Sequence, residues 1–164
     1  MSKRTLLIVL AALFAVLLGA FVKQTAHAAS TSKVSSISEV SIQHTPCYGP
    51  CPVYTLTLKS DGTATFVGVA HVTKIGTYTA QFGGFDRLGQ AITARRFQEL
   101  NTRYTSLATD LSHTITTVVL DGKRKAVDNY GDTGPQALWE IQAMIDGVSA
   151  ELTWKKVSTK RHDS

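Results

Sequence analysis

Two spacings of apolar residues divide the chain. From residue 37 to residue 82 apolar and polar positions alternate in short runs, the period of half-buried strands. Val40 and Ile42 mark the first run, Ile37 to Thr45. Val53 to Lys59 alternates Val, Thr, Leu, Thr, Leu. Thr63 to Val72 and Gly76 to Phe82 complete the set. Asp61-Gly62 between the second and third runs is a hairpin signal, because Gly takes the positive φ that such turns need. The four runs predict an antiparallel meander.

The spacing then changes. Phe85, Leu88 and Ile92 recur at i, i+3 and i+7, which predicts a helix after Gly83-Gly84. Phe97, Leu100 and Tyr104 keep helical spacing but fall out of phase with the first stripe, so a break is expected near Arg95. Gly89 weakens this helix by about 1 kcal/mol relative to Ala. Thr114 to Leu120 and Lys123 to Tyr130 flank Asp121-Gly122 and predict a second hairpin. Leu138, Ile141, Ile145 and Val148 mark an amphipathic helix over residues 135–152, with Pro135 suited to its first turn. The expected fold is α+β: a four-strand meander, a helix, a β-hairpin and a C-terminal helix. That makes an antiparallel sheet of about six strands, with the helices packed on one face.

The N-terminal pattern belongs to neither class. Lys3 and Arg4 precede seventeen uncharged, almost wholly apolar residues, Leu6 to Val22, and Ala26-His27-Ala28 follows. A basic end, an apolar stretch and small residues at the A-x-A positions predict a signal peptide over residues 1–28, cleaved after Ala28. The protein is therefore expected to be exported, periplasmic or secreted. An uncleaved N-terminal anchor is the alternative, since seventeen residues lie at the lower limit for a spanning helix. Ser/Thr-rich residues 29–36 are expected to be a flexible leader, residues 37–152 one domain, and residues 153–164 a basic, disordered tail in weak contact with anionic lipid or polysaccharide.

Charge changes the picture only after this division. The formal net charge is +5. Loss of Lys3, Arg4 and Lys23 leaves about +2, and the tail carries Lys155, Lys156, Lys160 and Arg161 against Asp163. The domain itself is then close to neutral, without the basic face of a nucleic-acid binder. Membrane contact is expected only through the signal peptide and, weakly, the tail. The partner is expected to be a protein or another ligand of the cell envelope.

The most distinctive stretch is Cys47-Tyr48-Gly49-Pro50-Cys51-Pro52. Two cysteines in an oxidising compartment favour a Cys47–Cys51 disulfide that fixes the turn between the first two strands. A redox dithiol is an alternative, but such thiols depend on a helix N-terminus to lower their pKa. Here Pro52 leads into a strand-patterned run. A metal set of His44, Cys47, Cys51 and His71 is the other alternative. A hydrolase built from Asp110, His113 and a nearby serine is the remaining reading. Nothing resembles G-x-S-x-G, and Thr109-Asp110 fits a turn that bonds its own backbone.

Cys47-x-Gly49-x-Cys51-Pro52-x-Tyr54, followed by Asp61-Gly62, resembles the signature of an exported bacterial family, the domain of unknown function 6438. Phe97, Leu100 and Tyr104, Thr109-Asp110, Gly122-Lys123, Tyr130-Gly131, Pro135, Leu138 and Ile145-Asp146 follow in the same order. The resemblance spans roughly residues 37–148. It implies a domain and brings no activity, cofactor or catalytic residue with it. The resulting expectation is a non-enzymatic binding or structural module that needs no cofactor. Its disulfide loop would present Tyr48, Gly49 and Pro50, with Tyr54 and Asp110 as secondary binding residues.

Overall fold

The computed structural model describes residues 36–158. The expected export signal, nearly all of the leader and the last six tail residues lie outside the described residues. The strands are β1 (Ile37–His44), β2 (Val53–Lys59), β3 (Thr63–Ala70), β4 (Gly76–Gln81), β5 (Arg103–Tyr104), β6 (His113–Leu120), β7 (Lys123–Tyr130) and β8 (Lys155–Lys156). The helices are α1 (Phe85–Ala94) and α2 (Gln136–Glu151), with a 3-10 turn at Phe97–Glu99.

All eight strands form one sheet in the order β5-β7-β6-β1-β2-β3-β4-β8. Its pairings are antiparallel except β5 with β7. The meander and the second hairpin form as expected, and the hairpin docks β6 against β1, so β1 is central. Asp121 and Gly122 take φ of 50° and 76° and close the two-residue turn between Leu120 and Lys123.

The expected six strands become eight because two-residue edge strands carry no alternation to detect. β8 also corrects the expectation for the tail. Thr79 pairs with Lys155 and Tyr78 with Lys156, and Val157 N donates to Thr77 O at 2.9 Å. The edge of β4 offers unpaired backbone groups, and lysines suit a strand at a sheet edge. The start of the tail is therefore part of the sheet.

Strand alternation puts Val40 and Ile42, Leu56 and Leu58, Ala64 and Phe66, Val118 and Val127 on one face, all buried. Phe85, Leu88 and Ile92 of α1 and Leu138, Ile141 and Ile145 of α2 complete the same core. Both helices thus cover one face, while the other carries Ser41, Gln43, Thr55, Thr57, Thr65, Thr77 and Thr79. The expected break after α1 falls at Arg96, whose φ of 55° is left-handed. Fully buried Phe97 then enters the core from the 3-10 turn. Arg95 Nε donates to Glu140 Oε2 at 2.7 Å and ties α1 to α2. Gly68 permits a close crossing: a Cβ there would lie 1.8 Å from the Lys74 carbonyl oxygen.

Candidate functional site

Sheet register builds the site. His44, the last residue of β1, pairs with Tyr54 of β2 and Thr114 of β6. All three side chains therefore project from the helix-covered face. Above them α2 carries Trp139, Gln142, Ala143 and Asp146 at i, i+3, i+4 and i+7, one stripe of the helix. These residues, apart from Tyr54, line a cavity of about 530 Å³ together with Ser112, Asp132 and the Cys51-Pro52 corner. That volume lies within the range of small-molecule sites, roughly 300–1,000 Å³.

Asp146 organises the cluster. His44 Nε2 lies 3.0 Å from Asp146 Oδ2 and 3.2 Å from Oδ1. A carboxylate can only accept, which places the imidazole proton on Nε2. Nδ1 then faces the Thr114 hydroxyl at 3.5 Å, the outer limit of a hydrogen bond. Tyr54 donates from its hydroxyl to Asp146 Oδ1 at 2.7 Å. Burial, this hydrogen bond and the Asp146 charge, in that order, push the Tyr54 phenol far above the usual range. The rings stack in series: His44 on Tyr54 with centroids 4.6 Å apart, Tyr54 on Phe66 at 5.2 Å, and Phe66 against Trp154 at 5.7 Å. The floor of the cavity is thus fixed by packing from the core outward.

A buried amide chain fixes α2 over the sheet. Gln142 Nε2 donates to Thr116 Oγ1 at 3.2 Å, and its Oε1 accepts from Asn129 Nδ2 at 3.2 Å. Asn129 Oδ1 accepts from Gly134 N at 2.8 Å, just ahead of the helix. Each amide is used as both donor and acceptor, so neither adds an unpaired polar group to the interior.

The disulfide joins Cys47 to Cys51, with Cα atoms 5.8 Å apart. Tyr48 N donates to Asp110 O at 3.0 Å and anchors the loop to the segment before β6. Gly49 has a φ of 158°, close to extended backbone rather than a left-handed turn. Tyr48 is 91% exposed. Tyr48, Gly49 and Pro50 form the loop tip and do not line the cavity. Of the expected binding residues, Tyr54 reaches the site through Asp146. Asp110 contributes a backbone carbonyl at a left-handed φ of 65°.

The alternative constellations do not assemble. Cys47 and Cys51 are bonded to each other, and His71 is exposed in the turn after β3. Among the described residues no group of three or more His, Cys, Asp or Glu side chains is arranged to hold a metal ion. Pro52 runs straight into β2, with no helix to stabilise a thiolate. His113 pairs not with Asp110 but with Asp128, at 2.7 Å, on the opposite face of the sheet. Asp110 instead accepts from the Thr109 hydroxyl at 3.2 Å, a contact between side chains in place of the expected bond to their own backbone.

A larger depression of about 780 Å³ lies at the other edge, lined by outer-face threonines of β3 and β4 and by Glu151 and Lys155. It carries no aromatic or imidazole ring and no convergent hydrogen-bond cluster. The smaller cavity is the better candidate for that reason.

The class is therefore an α+β domain in which a disulfide corner, a strand-end histidine and a helix-borne aspartate converge on one cavity. The family model described as a domain of unknown function (DUF6438) matches residues 38–149, and the chain belongs to that family. No curated protein and no solved structure matches the chain.

Proposed function

We propose that the protein is an exported, non-enzymatic module that binds a small ligand, or a small group on a larger partner, in the cavity beside the disulfide. The observation that carries the reading is the convergence on one cavity of residues far apart in sequence: His44, Cys51, Thr114, Trp139 and Asp146. Export rests on the N-terminal pattern of residues 1–28 and agrees with a disulfide, which persists in oxidising compartments. A binding role is favoured over catalysis because the polar groups hold one another. Asp146 is engaged by His44 and Tyr54, and the Thr114 hydroxyl that faces the imidazole is buried in β6.

The full-length chain is expressed and the exported protein collected. Its intact mass is expected to correspond to cleavage after Ala28. The isotope-labelled protein is then mapped by amide NMR with a neutral, a cationic and an anionic probe (glucose, choline and acetate). The expected result is a set of shifts centred on His44, Ser112, Asp132 and the stripe from Trp139 to Asp146. Shifts confined to the β3–β4 depression, or none with any probe, overturn the assignment of the site.

A further inference from the structure

We infer that the cavity is a carbohydrate subsite that takes a neutral pyranose ring, with Trp139 as its stacking wall. The inference rests on the reading of this cavity as the binding site. The first step excludes anions. Among the described residues that line it there is no Lys or Arg, while Asp132 and Asp146 both do. A carboxylate or phosphate ligand would meet like charge with no compensating cation.

The second step separates neutral ligands from cations. Asp146 is already matched by His44 and by the Tyr54 hydroxyl. Both of its oxygens are therefore already hydrogen-bonded inside the protein. Asp132 stands exposed in the turn before α2, where solvent screens it. The site thus presents no bare, buried negative charge to hold an ammonium group. It presents a ring of groups that donate, accept or do both: the Ser112 hydroxyl, the Thr114 hydroxyl and the remaining lone pairs of the two carboxylates. A ligand with several hydroxyls, each able to donate and accept, matches such a ring. A ligand with a single charged group does not.

The third step is the aromatic wall. Trp139 lines the cavity from the first turns of α2 and is 49% exposed. The other tryptophan, Trp154, packs against Phe66 and donates its indole N–H to Ser149 O at 2.9 Å. Trp139 is thus the large aromatic surface left uncovered at the site. An indole offers a flat, electron-rich face. A pyranose carries a face of C–H groups with hydroxyls around its edge, and stacking on Trp139 would turn those hydroxyls toward the polar ring.

The test is a titration of the exported protein with glucose, N-acetylglucosamine, maltose and cellobiose, followed by the two indole N–H signals, which Trp139→Phe tells apart. Choline and acetate are run alongside. Saturable movement of the Trp139 signal and of the Ser112 and Asp146 amides by at least one saccharide is expected. Trp139→Ala should weaken that binding at least tenfold, and Trp139→Phe less, with the folded amide spectrum kept in both. If choline or acetate moves these signals and no saccharide does, the carbohydrate assignment falls and the cavity remains a binding site. If no probe moves them, both assignments fall.

Discussion

Tyr54 and Asp146 lie 92 residues apart, and the Tyr54 hydroxyl donates to Asp146 Oδ1 at 2.7 Å. A phenol held against a carboxylate, with one side on Phe66, must lose both burial and a hydrogen bond to ionise. Its folded pKa is raised above the unfolded value, near 10. The stability this contributes is complete below pH 10 and declines as pH rises beyond it, because the unfolded chain releases the proton first. Alkaline titration of the native protein at 295 nm should therefore show no Tyr54 ionisation near pH 10. Tyr54→Phe should leave the absorbance change in that range unaltered. A smaller change in the variant would mean that Tyr54 titrates as a free phenol.

Asp146 has the larger stake in stability, since it answers two donors. Asp146→Ala leaves His44 Nε2 and the Tyr54 hydroxyl partly buried without an acceptor, at a cost of about 2 kcal/mol. Tyr54→Phe removes one bond and leaves Asp146 held by His44, costing about 1 kcal/mol. Urea unfolding of the two single variants and the double should show that the costs do not add, with coupling of about 1 kcal/mol. Additive costs would place the two side chains out of contact.

What the sequence made legible was whatever has a local signal. Val40 and Ile42, Leu56 and Leu58, and Phe85, Leu88 and Ile92 each declare an element by spacing, and the two Asp-Gly pairs declare their turns. The disulfide was legible because its cysteines are four residues apart. The site was not. His44 looks like an ordinary strand residue until the register sets it between Tyr54 and Thr114. Asp146 stands out only through the family resemblance. Its partnership with His44 depends on α2 crossing that end of the sheet, which no short-range pattern encodes. Trp139 and Trp154 are alike in sequence, and only packing against Phe66 separates the half-buried one from the exposed one. β5 and β8 escaped because two residues are too few to show a period.

Asn129 is fully buried, and its amide bridges Gln142 and the backbone at Gly134. Asn129→Ala strands the Gly134 N–H and half of the Gln142 amide, and opens a small void beside Leu138. The expected loss is about 3 kcal/mol by chemical denaturation. Hydrogen exchange should quicken first around residues 134–142, because the bond ahead of α2 is gone. Uniform quickening across the sheet would show that Asn129 does not act on the helix locally.

Glu140 accepts from Arg95 and from Gln136 Nε2, the latter at 2.9 Å. These bonds hold its carboxyl below the usual glutamate range. The clamp between α1 and α2 is therefore complete above the unfolded glutamate pKa, near 4.3. It is lost as pH falls through the lower, folded value. Glu140→Gln should lower stability modestly at pH 7, flatten the acid limb below about pH 4.5 and converge with the parent in stronger acid. An acid limb unchanged from the parent would show that the bridge does not couple to folding.

The Cys47–Cys51 bond closes a very short loop, so in the chain-entropy model it stabilises by only about 2 kcal/mol. The core lies elsewhere, among Val40, Ile42, Leu56 and the two helices, and the Cys47→Ser, Cys51→Ser double variant should still fold. What it loses is the fixed corner at Cys51 and Pro52 that edges the cavity. Ligand binding should therefore weaken by more than the stability loss alone explains. No helix follows Cys51 to favour a thiolate, so the reduction potential should lie with structural disulfides, below about −300 mV. A potential near −200 mV, with binding unaffected by reduction, would move the cysteines from architecture to redox chemistry.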